Sequence, residues 1–455
     1  MNKGERKITK PLLIQGGRII DPSQGIDEIG SLLISNGKIS WVGKGKTPPP
    51  QADYDVLHAE GLIVCPGFID LHCHLRQPGF DEKETMSSGT LAAARGGFTT
   101  VCCMPNTNPP LDNKTVIDYV KSKAAKEGAV RVLPIGCITK SRKGQELADM
   151  NEIAEAGAIG FSDDGNPVLD QNLMRKALEQ SRTLGLPIIE HCEDTSITEG
   201  GFINAGTISA KLGLKGMPAA AEETMVARNL ALAELTGGHI HIAHVSTAGS
   251  VELIRRAKEK GIKVTAEATP HHLTLTEEKV LDYNTNAKVN PPLRTQKDIQ
   301  ALIDGLRENV IDIIATDHAP HTKADKLCDF AGAAFGISGL ETALGSVMSL
   351  VHDGHLALPA LISKLTSEPA RIIGDKYGKL GTLATGAPAD ITIFDPDAEW
   401  TVEPENFASK GKNTPLAGAK LKGKVTATIY QGKLVYKDDR IKLEKAPLNE
   451  KARKQ

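Results

Sequence analysis

Between residues 66 and 384 of this 455-residue chain, short apolar runs alternate with amphipathic segments in a regular series. The strand-like runs lie at 67–74, 97–104, 130–137, 158–163, 186–191, 239–244, 262–268 and 311–317. The helix-like segments between them include 84–95, 113–127, 170–184, 220–236, 248–260 and 296–307. Eight strand–helix units in series predict an α/β fold, a closed (β/α)8 barrel of the TIM type. A doubly wound open sheet is the alternative, but no Gly-x-Gly-x-x-Gly fingerprint follows the first strand.

Both ends of the chain differ from the middle, because they contain short β-like runs without helical periodicity. Asn36-Gly37 is a strong hairpin signal, and Gln431-Gly432 marks a second turn. We therefore expect one small β-sandwich domain from residues 1–65 plus 385–440, and a barrel domain from residues 66–384. Residues 441–455 are rich in lysine and are expected to form a polar tail.

The composition excludes several classes of partner. The formal net charge is −2, so the chain has no basic field that would attract nucleic acid or an acidic membrane surface. The seven cysteines include no Cys-x-x-Cys pair and fall mostly in apolar runs, which predicts buried, reduced thiols. The first residues lack the apolar stretch of a signal peptide, and no apolar run approaches the roughly 20 residues of a membrane span. These features predict a cytoplasmic protein.

Barrel chemistry gathers at the C-terminal ends of the strands, so residues at those ends are candidates for a functional site. His72 and His74 lie two residues apart at the end of the first strand, where side chains at i and i+2 share a face. The ends of four further strands supply Asp163, Asp164, His191, His244 and Asp317. Four imidazoles and at least two carboxylates predict a site for one or two zinc-like ions.

Asp317 is also the candidate for catalysis. A bound cation lowers the pKa of a water molecule towards about 7, but hydrolysis still requires the transfer of the remaining proton. A carboxylate within reach of both the water and the leaving group can carry that proton.

Strand parity limits the ligand set. His239 and His241 have the opposite parity to His244 and should face away from it, and His318 is expected to pack elsewhere. The parity argument does not choose between Asp163 and Asp164.

These segments resemble conserved motifs of the amidohydrolase superfamily and, within it, of the class I bacterial dihydroorotase family. The matching stretches are Pro66–Arg76, Met104–Pro110, Phe161–Gly165, Glu190–Asp194, His241–Ser246, Val289–Arg294, Ala315–His321 and Gly386–Asp395. The resemblance implies the reversible closure of N-carbamoyl-L-aspartate to L-dihydroorotate, a step of pyrimidine synthesis. It covers most of the chain.

The resemblance also implies a ligand set. His72, His74 and Asp317 would hold one zinc ion, and His191 and His244 would hold a second. Asp164 would bridge the two ions. Many relatives in the superfamily bridge their metals with a carbamylated lysine at the end of the fourth strand, whereas this chain has aspartate there. That difference agrees with the class I type.

Substrate recognition can be argued partly from chemistry. Arg76 follows His74 on the same strand parity, and a guanidinium binds a carboxylate through two parallel hydrogen bonds. The loop at 322–340 is long and rich in glycine, so it could act as a lid. The resemblance assigns substrate contacts to His74, Arg76, Asn106, Asn290 and His321, and to Phe335 and Gly336 within the loop.

Two other functions stay open at this point. One is a related cyclic-amide hydrolase, such as a hydantoinase, dihydropyrimidinase or allantoinase, whose substrates give Arg76 and Asn106 no evident task. The other is a non-catalytic partner subunit of aspartate transcarbamoylase, although such chains have lost metal ligands that this chain retains. The sequence leaves homo-oligomerisation and association with aspartate transcarbamoylase undecided.

Overall fold

A computed structural model of the chain describes residues 10–45 and 54–445. Its strands are β1 (Leu12–Asp21), β2 (Ile26–Ser35), β3 (Lys38–Lys44), β4 (Asp55–His58), β5 (Ile63–Pro66), β6 (Phe68–Cys73), β7 (Phe98–Cys103), β8 (Arg131–Pro134), β9 (Ile188–Glu190), β10 (Ile203–Asn204), β11 (Gly216–Met217), β12 (Ile240–Ile242), β13 (Val264–Ala268), β14 (Ile313–Ile314), β15 (Ile391–Thr401), β16 (Lys420–Tyr430), β17 (Lys433–Lys437) and β18 (Leu443–Glu444).

The helices follow the strands of the middle region in alternation. The α-helices are α1 (Met86–Arg95), α2 (Lys114–Glu127), α3 (Met150–Ala156), α4 (Gln171–Leu184), α5 (Thr195–Thr198), α6 (Thr207–Leu212), α7 (Ala220–Thr236), α8 (Ala248–Glu259), α9 (Pro270–Thr274), α10 (Gln296–Arg307), α11 (Lys323–Lys326), α12 (Ala343–His352), α13 (Leu358–Leu365) and α14 (Ser367–Ile373). Short 3-10 helices span Pro22–Gln24, Lys140–Arg142, Glu277–Tyr283, Thr285–Ala287, Asp375–Tyr377 and Pro404–Asn406.

The middle of the chain forms the predicted barrel. Strands β6, β7 and β8 pair in parallel, and β9, β12, β13 and β14 form a second parallel group. Phe161 bridges the two groups by pairing with Gly136 on one side and Ile188 on the other. A bridge between Cys73 and His318 closes the ring. The (β/α)8 prediction is confirmed, although the fourth strand is reduced to the pairing of Phe161.

The long helices occur where periodicity predicted them. The segment 170–184 forms α4, which begins after the Asp170 cap, whose side chain accepts a hydrogen bond from the Leu173 amide. The segment 220–236 forms α7, which ends at Gly237 with φ +67°. A left-handed residue at this position favours glycine because it has no Cβ to clash with the backbone.

Strands from both chain ends form one curled sheet with the order β17-β16-β15-β5-β1-β2-β3, and β4 pairs with β1 and β18. Ile39 of β3 packs in the same apolar cluster as Ile391 of β15, although several strands separate them. The sheet therefore wraps around a core of its own. Where its edges meet, a Cβ at Gly432 would lie 2.8 Å from the Gly37 Cα, so the approach requires glycine.

The curled sheet packs against the N-terminal ends of the first barrel strands. The Phe68 ring lies 5.8 Å from that of Phe98 and 6.2 Å from that of Phe394, between centroids. An ion pair of 2.7 Å joins Arg131 to Asp390. Contacts at the N-terminal face of a barrel stabilise the fold, whereas active sites form at the C-terminal face. The outer sheet leaves that C-terminal face open.

Some predictions on domain organisation stay open. The boundaries at 65/66 and 384/385 remain a prediction. Within the predicted tail, Leu443–Glu444 pairs with β4, whereas residues 446–455 lie outside the described residues, as do 1–9 and 46–53.

Six of the seven cysteines are buried, and all are free thiols. None of the helices in the described ranges has both the length and the hydropathy needed to cross a membrane.

Candidate metal centre and active site

The ends of the barrel strands bring the predicted ligands together around the Asp164 carboxylate. Its Oδ1 lies 3.5 Å from His72 Nε2, 3.6 Å from His244 Nε2 and 3.8 Å from His191 Nδ1. Its Oδ2 lies 3.6 Å from His74 Nε2. All five side chains are buried. Residues from four separate strand ends therefore share one small polar pocket.

The side chains form two triads that have Asp164 in common. His72, His74 and Asp164 form one, and Asp164, His191 and His244 form the other, with their ligand atoms within 4.8 Å of one another. Asp317 stands beside the first triad, since its Oδ1 lies 3.0 Å from His74 Nε2 and 3.5 Å from His72 Nε2.

The hydrogen bonds of His72 and His74 hold the outer nitrogen of each ring and turn the other nitrogen towards the site. His72 Nδ1 donates to Glu267 at 2.6 Å, and His74 Nδ1 donates to the Asn106 Oδ1 at 2.9 Å. His72 Nε2 is buried and has no hydrogen-bond partner within the described part of the chain. A buried imidazole nitrogen without a hydrogen-bond partner, in a set of nitrogen and oxygen ligands, is what a divalent cation fits.

Electrostatics favour a positive charge at the same place. Burial opposes protonation of His72, but the charges of Glu267 and Asp317 outweigh it and raise the pKa to about 10. Burial likewise opposes ionisation of Asp317, but His72 and His74 hold its pKa well below the usual range. The pocket is therefore rich in negative charge that a cation would neutralise. These observations point to a metal.

The two neighbouring aspartates have different partners. Asp163 Oδ1 accepts from the backbone amides of Ile138 at 2.9 Å and Thr139 at 3.1 Å, and its Oδ2 accepts from the Thr139 hydroxyl. Asp163 therefore fixes the loop after β8, whereas Asp164 faces the imidazoles. The geometry supports Asp164 as the residue between the triads, the choice that strand parity left open.

Three site residues have left-handed backbones: Arg76 at φ +61°, His244 at φ +33° and Asp317 at φ +45°. Such a conformation costs a non-glycine residue of order 1–3 kcal/mol and is found where the surrounding structure enforces it. It also explains why the predicted strands at 239–244 and 311–317 were too long. The strands end at Ile242 and Ile314, and the chain then turns to aim each side chain into the mouth.

A cavity of about 230 Å³ opens beside the triads. Its lining includes His74, Arg76, Asn106, Asp164, His191, His244, Asn290, Asp317, Phe335 and Gly336. His321 lies behind this lining, with its Nε2 2.8 Å from the Phe335 carbonyl oxygen and 3.2 Å from Arg76 Nη2. Two larger cavities, of about 360 and 390 Å³, lie beside α12 and the outer sheet, and no predicted site residue lines them.

The predicted substrate contacts differ in how far their hydrogen bonds are already used. Arg76 is half-buried and donates to the Pro320 carbonyl at 3.2 Å, and no acidic side chain of the described residues forms an ion pair with it. Asn106 is engaged with the cluster, because its Nδ2 donates to Asp164 Oδ2 at 3.2 Å. Asn290 Nδ2 donates to Glu193 at 2.8 Å. Arg76 is thus the site's unpaired cation.

Two carboxylates that the sequence analysis did not single out orient the imidazoles. Glu267 accepts from His72 and, at 3.1 Å, from His241 Nε2, and Glu193 accepts from His191 Nε2 at 2.9 Å. The only sequence signal for Glu267 was a charged residue inside the apolar strand β13. His241 faces Glu267, not the triads. His318 also lies outside the triads, 3.3 Å from Glu84.

Glu267→Gln is expected to weaken metal binding about 10- to 100-fold, because an amide no longer holds the His72 ring through a charged hydrogen bond. Competition against a chromophoric chelator measures this affinity. Glu222→Gln is the matched control, since Glu222 is also buried but contacts Ser246 and Thr247. Equal metal affinity in the wild-type protein and Glu267→Gln would exclude the orienting role.

Comparison with known proteins extends the argument from this geometry. A family model described as the amidohydrolase family matches residues 203–436. The barrel and its cluster of ligands are typical of this class of hydrolase. A model described as dihydro-orotase-like matches residues 61–250. The L-hydantoinase (dihydropyrimidinase) from Arthrobacter aurescens superposes with a TM-score of 0.84 at 24% identity and covers 96% of this chain and 98% of that one.

Curated relatives are more similar in sequence. The dihydroorotase of Syntrophus aciditrophicus is 50% identical over 428 residues, 94% of this chain and 100% of that protein. The dihydroorotase of Pelotomaculum thermopropionicum is 53% identical over 428 residues, 94% of this chain and 99% of that protein. The chain belongs to the dihydroorotase family of the amidohydrolases. Members of this family are cyclic amide hydrolases, and this chain is an enzyme of that class.

Proposed function

We propose that the chain catalyses the zinc-dependent, reversible closure of N-carbamoyl-L-aspartate to L-dihydroorotate and water. One observation carries this choice of substrate: a half-buried guanidinium without an acidic partner lines the same cavity as the two ligand triads. A substrate that presents an amide carbonyl to the triads and a carboxylate to Arg76 satisfies both. The dihydroorotase family to which the chain belongs supports the same reaction.

The distances in the pocket support an assignment of the metal ligands. We assign His72, His74 and Asp317 to one zinc ion and His191 and His244 to a second, with Asp164 between them. A divalent cation bound there would polarise the substrate carbonyl and lower the pKa of a water molecule. We favour a binuclear site in which the Asp164 carboxylate would serve both ions, because aspartate occupies the position of the carbamylated lysine of other relatives.

The chain's own groups supply recognition and proton transfer. Arg76 binds the α-carboxylate of the substrate, and Asn290 and His321 contribute from the surrounding loops. The backbone groups of Phe335 and Gly336 contact the ring. In hydrolysis, Asp317 accepts a proton at its carboxylate and delivers it to the departing ring nitrogen, and synthesis is the reverse.

The two competing functions are less well supported. Substrates of a hydantoinase or an allantoinase carry no carboxylate at this position, so Arg76 would have no carboxylate to bind. The non-catalytic subunit would not need the six predicted ligands that converge on one pocket. A cytoplasmic location is part of the proposal, supported by the free thiols. Homo-oligomers and association with aspartate transcarbamoylase are compatible with it.

The direct test is hydrolysis of L-dihydroorotate by the isolated chain, stripped of metal and then supplied with zinc. We expect turnover that depends on zinc and exceeds that of hydantoin or allantoin by at least about 100-fold, because hydrogen bonds between a charged guanidinium and a substrate carboxylate contribute roughly 1.5–3 kcal/mol each. Loss of dihydroorotate is followed by absorbance. A preference for hydantoin would contradict the proposal, and zinc-loaded protein without turnover would favour the non-catalytic function.

Arg76→Lys sharpens this test, because lysine keeps the charge but loses the two parallel hydrogen bonds. Its KM for L-dihydroorotate should rise, whereas any residual turnover of hydantoin should not change. Arg95→Lys, at the end of α1 and outside the cavity, is the matched control.

A further inference from the structure

A buried amide from the C-terminal part of the chain ties together both ends of the loop that follows the eighth barrel strand. Asn413 Oδ1 accepts from the His321 backbone amide at 2.9 Å and from the Ser338 hydroxyl at 2.8 Å. Its Nδ2 donates to the carbonyl oxygens of Ala319 and Gly336, both at 3.0 Å. All four hydrogen-bonding positions of the amide are therefore used.

The residue type matches this arrangement. Two acceptors and two donors on a short side chain are available only from asparagine, since aspartate cannot donate and glutamine is longer. Asn413 is 4% exposed, so water does not compete for these hydrogen bonds. A fully satisfied buried polar network fixes the geometry of the groups that it joins.

The groups held by Asn413 flank the proposed substrate contacts. His321 lies at the start of the loop, and Gly336 lies at its end, directly after Phe335. The backbone also pairs across this gap, because the Ala319 amide donates to the Ile337 carbonyl at 2.9 Å. Asn413 thus sets the distance between the two sides of the loop that reach the substrate.

The segment that carries Asn413 is itself held in place by hydrogen bonds of its backbone. The Lys410 amide donates to Glu84 at 3.2 Å, and the Ser338 amide donates to the Asn413 carbonyl at 2.8 Å. A Cβ on Gly411 would lie 2.4 Å from the Pro320 Cβ, so this segment passes as close to the loop as backbone allows. A support held this closely can define the position of the loop.

We propose that Asn413 is a positioning residue for substrate recognition, acting through His321 and Gly336 without touching a reacting atom. The identity of the substrate rests on the proposed function, whereas the effect on the loop does not. Because the loop contacts the substrate in both the ground state and the transition state, Asn413 affects mainly KM.

Asn413→Ala and Asn413→Asp test this inference. We expect the KM for L-dihydroorotate to rise about 10-fold while kcat changes less than about threefold. Amides at 319–338 should exchange hydrogen faster than in the wild-type protein, with exchange in the barrel strands unchanged. Ser338→Ala removes one of the four hydrogen bonds and should shift KM and loop exchange in the same direction, but less.

Asn406→Asp is the matched control, because Asn406 is exposed on the same stretch of chain and hydrogen bonds to Glu403. The double variant of Asn413→Ala with His321→Ala should show less than the product of the single effects on KM, since part of the Asn413 effect passes through the position of the His321 side chain. A merely structural role would give a multiplicative effect and a lower thermal stability with kcat and KM changed together.

Each outcome decides the matter. The inference is overturned if the Asn413 variants fold and match the control in KM and loop exchange. In that case an active wild-type protein leaves the proposed function intact. If the wild-type protein does not hydrolyse dihydroorotate, the proposed function fails, and unchanged loop exchange in Asn413→Asp would separately overturn the positioning role. If both Asn413 variants fail to fold, Ser338→Ala decides by the same two measurements.

Discussion

Asp317→Asn is expected to lower kcat for L-dihydroorotate hydrolysis by about a thousandfold, within the range that loss of a general acid–base group produces. The neighbouring imidazoles keep the carboxylate ionised at neutral pH, with His74 Nε2 only 3.0 Å from Oδ1. An amide of the same shape cannot accept the proton. Because Asp317 is also assigned as a zinc ligand, the variant is assayed at saturating zinc, where the amide oxygen and the other ligands keep the site filled. Metal analysis of the assayed sample verifies this.

Asp312→Asn is the control for this variant. Asp312 belongs to the segment that leads into β14, but it lies at the opposite end of the barrel, where it accepts from Lys258 at 2.6 Å and from the Ala266 amide at 2.8 Å. Its replacement should lower thermal stability without changing kcat. Full turnover in Asp317→Asn would refute the proton-transfer role.

Asp164→Asn should lower zinc affinity strongly. The loss should exceed the roughly 10- to 100-fold that follows removal of a residue that only orients a ligand. Asp164 belongs to both triads, so its charge is lost to both at once. We expect turnover to disappear with the metal and to return only partly at high zinc concentration. Chelator competition measures the affinity, and metal analysis gives the stoichiometry.

The same change one residue earlier is the control. Asp163→Asn should retain zinc and lose about 1–3 kcal/mol of stability, because a weaker acceptor faces the amides of Ile138 and Thr139. If the two variants bound zinc equally, Asp164 would not lie between two ions. If Asp163→Asn alone lost zinc, the assignment of the pair would be reversed.

Periodicity predicted much of the fold, because it records directly which faces are buried. The segments 170–184 and 220–236 formed helices almost at their predicted bounds. The fourth strand was harder, since Phe161 pairs through the barrel's own geometry and not through a run of strand residues. The outer sheet was expected from both chain ends, but its curl depends on long-range contacts such as that between Gly37 and Gly432.

The candidate site was likewise predicted only in part from the sequence. His72 and His74 stood out because their spacing places both on one face of a strand. Glu267 and Asn413 did not, because a lone carboxylate or amide has no spacing pattern. Asn413 meets His321 only after the chain has crossed 92 positions. The choice between Asp163 and Asp164 depends on how the loop after Phe161 turns, which alternation along a strand cannot describe.

The curled outer sheet has a consequence for how the protein is made. Its strand β5 pairs with β15, and Cys65 and Thr392 are 327 positions apart. A chain growing from the ribosome therefore carries β5 with one unpaired edge until the whole barrel has been synthesised. Exposed edges recruit other strands, and pairings between distant segments form slowly. During translation, this edge is therefore open to pairing with strands of other chains.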